Sequence, residues 1–207
     1  MAGPSYPIPL GSHPSSFAID EDTLARTKSP LPDSIGLARS ARLPPSLAIK
    51  VLHYAKARLG TRVGDGQCAA LADEALRSAG ARSAKDFGPI TPDCNYIWGT
   101  RVFSLSDARP GDIGQFRDYR YTRTEENDDG SCKELTLWPG EPKHTAIVVS
   151  KDGNGLPTVI EQNVPERKGS PVRETQLGFV SNTTTSGGTT TRQSVSGQWW
   201  FYRPQPR

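Results

Sequence analysis

A cysteine at the start of a predicted helix is the first residue of this 207-residue chain whose type and position allow covalent chemistry. The run from Gly64 to Gly80 is a glycine-bearing turn, then Cys68, then apolar residues at helical spacing, with a glycine where helices commonly end. Backbone N–H groups at a helix N-terminus stabilise a thiolate there. The residues alone leave two interpretations for Cys68, a nucleophile or a small buried side chain of the core.

A histidine that begins a predicted strand is the second candidate. His144 opens an apolar run, and a turn joins this run to a second predicted strand, 158–164. In such a hairpin the start of the first strand lies beside the end of the second, near Glu161 and Asn163, which share a face because strand side chains alternate. A carboxylate or an amide there could hold the imidazole while its other nitrogen meets Cys68, as in a generalised catalytic triad.

Two helices and a sheet must position these groups. Ser46 is a natural N-cap for a first helix that ends at Gly60, and the helix with the cysteine packs beside it. A turn at 108–112 leads into the strands, and segments 172–180 and 193–202 are predicted to form a last hairpin. Because helices come first and strands follow, we predict an α+β fold with N-terminal helices packed on a small antiparallel β-sheet.

The composition divides the chain into a tail and a domain. Residues 1–45 contain eight prolines and no sustained periodicity, which predicts a flexible tail or a strap over the domain, either a plain linker or a docking segment. Residues 46–207 are predicted to form the catalytic domain. A hydrophilic, charged insertion interrupts this domain at about 117–143, and its acidic tip, 125–129, fits no standard calcium-binding loop.

Charge and composition exclude several classes of protein. The formal net charge is only +3 and the basic residues are scattered, so no nucleic-acid partner is expected. No segment suits a membrane span and no secretory signal is visible, so we expect synthesis in the cytoplasm and a non-classical route to any external target. Three cysteines without a paired spacing predict no metal site and no cofactor, and they leave open whether Cys94 and Cys132 pair. A monomer is expected.

Four segments, taken in order, resemble the motifs of CHAP-type amidohydrolases. They are Gly-Gln-Cys at 66–68, the turn and strand start at 109–113, the strand at 144–148 and Ile-Glu-Gln-Asn at 160–163. These hydrolases belong with the NlpC-type peptidases in the broad papain-like cysteine hydrolase group. The resemblance covers about residues 46–203 and implies a papain-like fold, although the charged insertion departs from the usual shorter connection.

The resemblance implies hydrolysis of an amide bond in bacterial peptidoglycan. The activity would be that of an N-acetylmuramoyl-L-alanine amidase or a stem-peptide endopeptidase, in a lysin or an exported toxin. Cys68 would be the nucleophile, His144 the general base, Glu161 the carboxylate that orients the imidazole and Asn163 a further polar support. The backbone N–H of Cys68 and the side chain of Gln67 are the candidates for binding the oxyanion.

Alternatives to this function and to one further site residue stay open. Trp98 either lines a groove for sugar or peptide, or packs in the core. The chain is either a peptidoglycan hydrolase, a non-catalytic module that binds cell-wall or other peptides, or a cysteine protease or amidase of a non-wall substrate. A toxin would be accompanied by an immunity or delivery partner. Selective alkylation of Cys68 and loss of cleavage in Cys68→Ala would distinguish an enzyme from a binding module.

Overall fold

The computed structural model describes residues 45–91, 95–137, 142–151, 157–164 and 168–207. The predicted tail, apart from its last residue, and Cys94 lie outside the described residues. The described residues form two α-helices and eight strands. These are α1 (Leu47–Lys56), α2 (Cys68–Ser78), β1 (Thr100–Val102), β2 (Ile113–Asn127), β3 (Cys132–Leu137), β4 (Lys143–Lys151), β5 (Pro157–Glu161), β6 (Arg173–Gln176), β7 (Asn182–Ser186) and β8 (Thr189–Arg203).

Both helices begin where their capping residues predict them, and α2 also ends as predicted, whereas α1 ends at Lys56 and not at the predicted Gly60. The Ser46 hydroxyl accepts a hydrogen bond from the Ile49 N–H at 3.4 Å and so caps α1. Gln67 is the N-cap residue of α2, and its side chain makes no capping bond, so the N–H groups of Cys68 and Ala69 stay available to other partners. Gly80, just beyond the end of α2, has φ +77, a conformation that favours glycine. No helix in the described part of the chain combines the length and apolar composition of a membrane span.

The strands form one large antiparallel sheet in the order β1-β8-β2-β4-β5-β6, to which β3 adds beside β2 and β7 beside β8. The two longest strands, β2 and β8, have 15 residues each and pair from Ile113 opposite Tyr202 to Asn127 opposite Thr189. The prediction of an α+β domain with helices on a small sheet is therefore wrong. The sheet of eight strands dominates the described residues, and only α1 and α2 pack on it.

The predicted insertion is part of this sheet. Beyond a register shift between Arg117 and Arg120, β2 continues through the charged segment and turns back into β3. On its other side β2 pairs with β8, and β8 pairs with β7 through a turn at Gly187 and Gly188. We call these four strand segments, 120–137 and 182–196, the arm. The predicted last hairpin is also wrong, because β6 pairs with β5 and the hairpin partner of β8 is β7.

Two apolar clusters cover the two faces of the remaining sheet. The face toward the helices contains Ile113, Ile147 and Ile160, packed with the apolar side of α2, and the opposite face contains an aromatic cluster around Phe116 and Phe201. Because Leu76 on α2 is fully buried in the first cluster, α2 is held against the sheet. Its N-terminus is thereby fixed near the start of β4, with which α2 is in contact.

The turn before β2 is fixed by a buried carboxylate. Asp112 accepts a hydrogen bond from the Arg109 N–H at 2.9 Å and forms an ion pair with Arg203 at 3.1 Å. Gly111 has φ +88, and a Cβ atom there would lie 1.9 Å from the carbonyl oxygen of Ala48 in α1. The close approach of this turn to α1 therefore requires a glycine.

The predicted hairpin of β4 and β5 is confirmed, but β5 pairs with only part of β4. The pairing runs from Lys151 to Ile147 and leaves the first residues of β4 without it. Ile147 pairs with Ile160, whereas β2 follows β4 as far as Lys143. Residues 144–146 thus have β2 along one edge and, among the described residues, no strand along the other. We call this open edge of β4 the notch.

Candidate active site

The Cys68 sulfur lies in the notch. As the first residue of α2, Cys68 is within hydrogen-bonding reach of the His144 ring and of the backbone N–H groups of Thr145 and Ala69. The Thr145 N–H can reach the sulfur because the ladder between β4 and β5 stops at Ile147. Cys68 as a residue is partly exposed, and hydrogen-bond donors surround its sulfur.

A carboxylate holds the far side of the imidazole. His144 Nε2 lies 2.9 Å from Glu161 Oε2, and both side chains are 1% exposed. Since this nitrogen is engaged, Nδ1 is the ring nitrogen that faces Cys68. The second carboxylate oxygen, Oε1, accepts a hydrogen bond from the Thr175 hydroxyl at 2.5 Å and lies 3.5 Å from the Arg173 guanidinium.

The electrostatics of the three groups favour the ionised forms. Burial raises the pKa of the Cys68 thiol, but the charge and hydrogen bond of His144 outweigh it, and the pKa is lowered from the ordinary value. Burial likewise disfavours the imidazolium, yet Cys68 and Glu161 raise the pKa of His144 to about 10. Burial raises the pKa of Glu161, and the bonds from His144 and Thr175 lower it overall. The signs agree, and all three shifts favour a thiolate–imidazolium pair beside a carboxylate.

A buried glutamine that the sequence analysis did not select fixes the turn before the cysteine. Gln162 Oε1 accepts a hydrogen bond from the Val63 N–H at 3.0 Å, and its Nε2 donates to the Val63 carbonyl at 3.0 Å and to the Gln67 carbonyl at 2.6 Å. The alternation of side chains along a strand is the sequence signal that could have identified Gln162. Gln162 follows Ile160 by two positions and so continues the buried face, where a polar side chain requires partners.

Asn163 contacts the nucleophile turn and does not lie behind the imidazole with Glu161. Its Nδ2 donates to Gln67 Oε1 at 2.8 Å, and its Oδ1 accepts from the Gly169 N–H at 2.7 Å. The expected shared face with Glu161 is lost because β5 ends at Glu161 and Asn163 has φ +54, outside the extended conformation in which side chains alternate.

A cleft of about 320 Å³ is lined by both chain neighbours of Cys68, Gln67 and Ala69. Ile90, Tyr96 and Trp98 also line it. This places Gln67, which is exposed, where its side chain can meet a substrate.

The two interpretations of Trp98 are both represented in the structure. Trp98 is 1% exposed, and its Nε1 donates to Gln115 Oε1 at 3.0 Å, so most of the ring packs in the core. Its outer edge meets the cleft together with Tyr96, whose ring packs edge-on against it. Trp98 therefore forms a rigid inner wall.

The polar groups of the site are paired with each other. In the described ranges, no set of three or more His, Cys, Asp or Glu side chains is arranged to hold a metal ion. The two nitrogens of His144 are directed at Cys68 and Glu161. The arrangement can therefore supply a nucleophile, a proton-transfer group and the carboxylate that orients it.

The described residues thus place two helices against an antiparallel sheet, with a cysteine at a helix N-terminus facing a histidine on a strand. The chain belongs to the family of AIM3/BBC1 cysteine proteinase-fold domains, whose model matches residues 44–206. No curated protein and no solved structure matches it. The family confirms the cysteine proteinase fold that was predicted, while a CHAP- or NlpC-type relationship stays a prediction.

Proposed function

We propose that this domain is a cysteine hydrolase that cleaves an amide bond. The observation that supports it is the continuous chain from the Cys68 sulfur through His144 to Glu161 Oε2, with the imidazole and the carboxylate almost completely buried. Burial of a charged imidazole–carboxylate pair costs free energy, and a cysteine with only a structural role would not need such a pair beside it. A nucleophile and its base do need one.

In the proposed reaction the thiolate of Cys68 attacks the carbonyl carbon of the amide. The carbonyl π electrons move to its oxygen, and the tetrahedral intermediate then collapses as His144 Nδ1 gives its proton to the leaving amine. A thioester remains on the sulfur. His144, now neutral, removes a proton from water as that water attacks the thioester. The second tetrahedral intermediate collapses, its C–S bond breaks, the acid is released and the Cys68 thiolate is restored beside the imidazolium, which Glu161 stabilises.

The oxyanion of each intermediate needs hydrogen-bond donors beside the sulfur. The Cys68 N–H, at the open start of α2, and the Nε2 of Gln67 are the candidates. Removal of one such donor typically lowers kcat by about 10²- to 10³-fold.

The lining of the cleft supports a peptide as the class of substrate. Its walls combine Ile90 and Tyr96 with the charged residues Asp65, Asp73 and Lys85, a mixture that suits a peptide with charged groups. The CHAP-type resemblance favours a peptidoglycan amide, cut either at the sugar–peptide bond or within the stem peptide. As a lysin or toxin, the protein would act outside the cell that makes it and would need a delivery or immunity partner.

Mass spectrometry of digests tests the proposal. The purified protein is incubated with sacculi and, separately, with a peptide library, and new amine and carboxyl termini are identified. We expect cleavage by the wild type and by Cys132→Ser, whose cysteine lies exposed on β3, and none by Cys68→Ala. Release from sacculi would support the wall substrate, and cleavage of library peptides alone would support a non-wall substrate. No new termini with either would contradict hydrolysis and favour the binding module.

A further inference from the structure

The orientation of two neighbouring side-chain amides follows from a backbone group. The Gly169 N–H can only donate, so the atom of Asn163 that faces it, 2.7 Å away, is the carbonyl oxygen Oδ1. The Asn163 NH₂ group must then be the part that faces Gln67 at 2.8 Å. An NH₂ group needs an acceptor, so Gln67 presents Oε1 to it. The direction of both amides is thereby determined.

The backbone N–H and carbonyl of Gln67 are also hydrogen-bonded, which leaves one polar group, Nε2. Its backbone N–H donates to Asp65 Oδ1 at 2.9 Å, and its carbonyl accepts from the Ala70 N–H at 3.1 Å and from Gln162 Nε2 at 2.6 Å. Among the residues that the structure describes, no acceptor is paired with Nε2. This NH₂ group belongs to the residue before Cys68, and the residue borders the cleft.

We infer that Asn163 is the positioning residue of the oxyanion donor. It fixes Gln67 so that Nε2, and not Oε1, is turned to the cleft, where negative charge develops on the substrate oxygen. The inference rests on the proposed function and gives Asn163 a role other than support of the imidazole. Its φ of +54 suits this role, because Asn tolerates the left-handed conformation that brings the side chain to Gln67.

The substitution Asn163→Asp reverses the amide of Gln67. An aspartate keeps the acceptor for the Gly169 N–H and tolerates the same φ, but it cannot donate to Gln67 Oε1. Gln67 is then expected to rotate its amide and donate Nε2 to the new carboxylate, which leaves Oε1 facing the cleft. An oxygen there would repel the oxyanion.

Steady-state kinetics on the substrate identified above measure the effect. We expect kcat to fall by about 10²-fold or more in Asn163→Asp and in Gln67→Ala, with KM little changed, because the oxyanion exists only in the reaction. The double variant should lose no more than the worse single variant. Asn163→Gly, which keeps the φ and carries no charge, should lose less than Asn163→Asp. Independent, additive losses would overturn the inference, as would an Asn163→Asp enzyme as active as the wild type.

Alkylation with iodoacetamide separates this role from a general effect on the thiol. Alkylation builds no oxyanion, so the limiting rate for Cys68 at high pH should be the same in Asn163→Asp as in the wild type. A fall in that rate parallel to kcat would show damage to Cys68 itself and would overturn the inference.

Side-chain amide NMR gives a readout that needs no substrate. The Nε2 protons of Gln67 should exchange quickly with water in the wild type and become protected in Asn163→Asp. Protection in the wild type would show a different orientation and would overturn the inference. If the wild type cleaves no amide, the oxyanion role fails together with the proposed function, while the exchange data still decide the orientation of Gln67.

Discussion

Replacement of Gln162 by leucine should destabilise the domain although the two side chains are similar in size. Among the described hydrogen bonds, the buried Val63 N–H is bound only by this side chain, whereas the carbonyls of Val63 and Gln67 keep the N–H groups of Gly66 and Ala70. A buried donor left without a partner costs about 1–3 kcal/mol, and each bond lost at the two carbonyls costs about 1 kcal/mol. Burial of the leucine offsets part of this, so we expect a net loss of about 1–4 kcal/mol from the free energy of unfolding.

Urea denaturation followed by tryptophan fluorescence measures this loss. Gln198→Leu is the matched control, because Gln198 is exposed on β8, and surface changes typically stay within about 0.5 kcal/mol. The reasoning is refuted if the free energy of unfolding of Gln162→Leu differs from that of the wild type by no more than that of the control does. In that case the hydrogen bonds of Gln162 do not hold the nucleophile turn.

The variant Gln162→Glu separates hydrogen bonding from side-chain size. A carboxylate can still accept from the Val63 N–H, but it is placed against the carbonyl oxygens of Val63 and Gln67. Burial and these oxygens favour the neutral acid, which can donate one hydrogen bond. Relative to the wild type, this variant should therefore be least stable at neutral pH and recover stability as the pH falls.

The site and the turn before β2 allow three further tests. Cys68 should react with iodoacetamide near neutral pH faster than free cysteine, and His144→Ala should remove most of this advantage, as read by mass spectrometry of the labelled peptide. Glu161 has a lowered pKa in the folded state, so its contribution to stability is present above its unfolded value of 4.5 and is lost as the pH falls through the lower folded value. Urea titrations between about pH 3 and 7 should show a steeper acid loss for the wild type than for Glu161→Gln. Gly111→Ala should cost more than about 2 kcal/mol, because its Cβ would meet a backbone carbonyl of α1, whereas Gly130→Ala at a similar φ has open space and should cost about 1 kcal/mol in thermal melts.

The parts of the structure that local signals determine were predictable from the sequence. Ser46 and Gly80 mark helix ends because capping depends on the residue itself and its immediate neighbours. The β4–β5 hairpin follows from two apolar strands around a polar turn. Local signals do not predict the contact between Cys68 and His144, because it depends on the packing of α2 against β4. The order of the four motifs along the chain predicted it.

The arm was not predictable because most of its side chains are exposed or only half-buried. A strand with one buried face shows alternation, whereas β7 is exposed along its whole length and carries only Asn, Thr and Ser, which are also common in turns. The second half of β2 is rich in charges for the same reason. Such segments become strands through pairing with distant residues, as β2 does with β8, and a single sequence does not reveal that pairing.

The position of Asn163 was mistaken for a related reason. Period-two alternation was extended past Glu161, but β5 ends there, and the left-handed backbone at Asn163 turns its side chain toward Gln67. Where a strand stops is a property of the whole sheet. Glu161 consequently contacts the imidazole, whereas Gln162 and Asn163 both contact Gln67, the first at its backbone carbonyl and the second at its side-chain amide.

The early end of β5 has a consequence for how such a centre can be changed. If β5 were extended by two paired residues, its backbone would take the Thr145 N–H that now points at sulfur, and the thiol would be shut out without any alteration of the reactive side chains. Reactivity here is thus governed by strand length as much as by residue identity. Variants that lengthen or shorten the pairing of β5 with β4 at this point would therefore lower or restore the reactivity of the thiol.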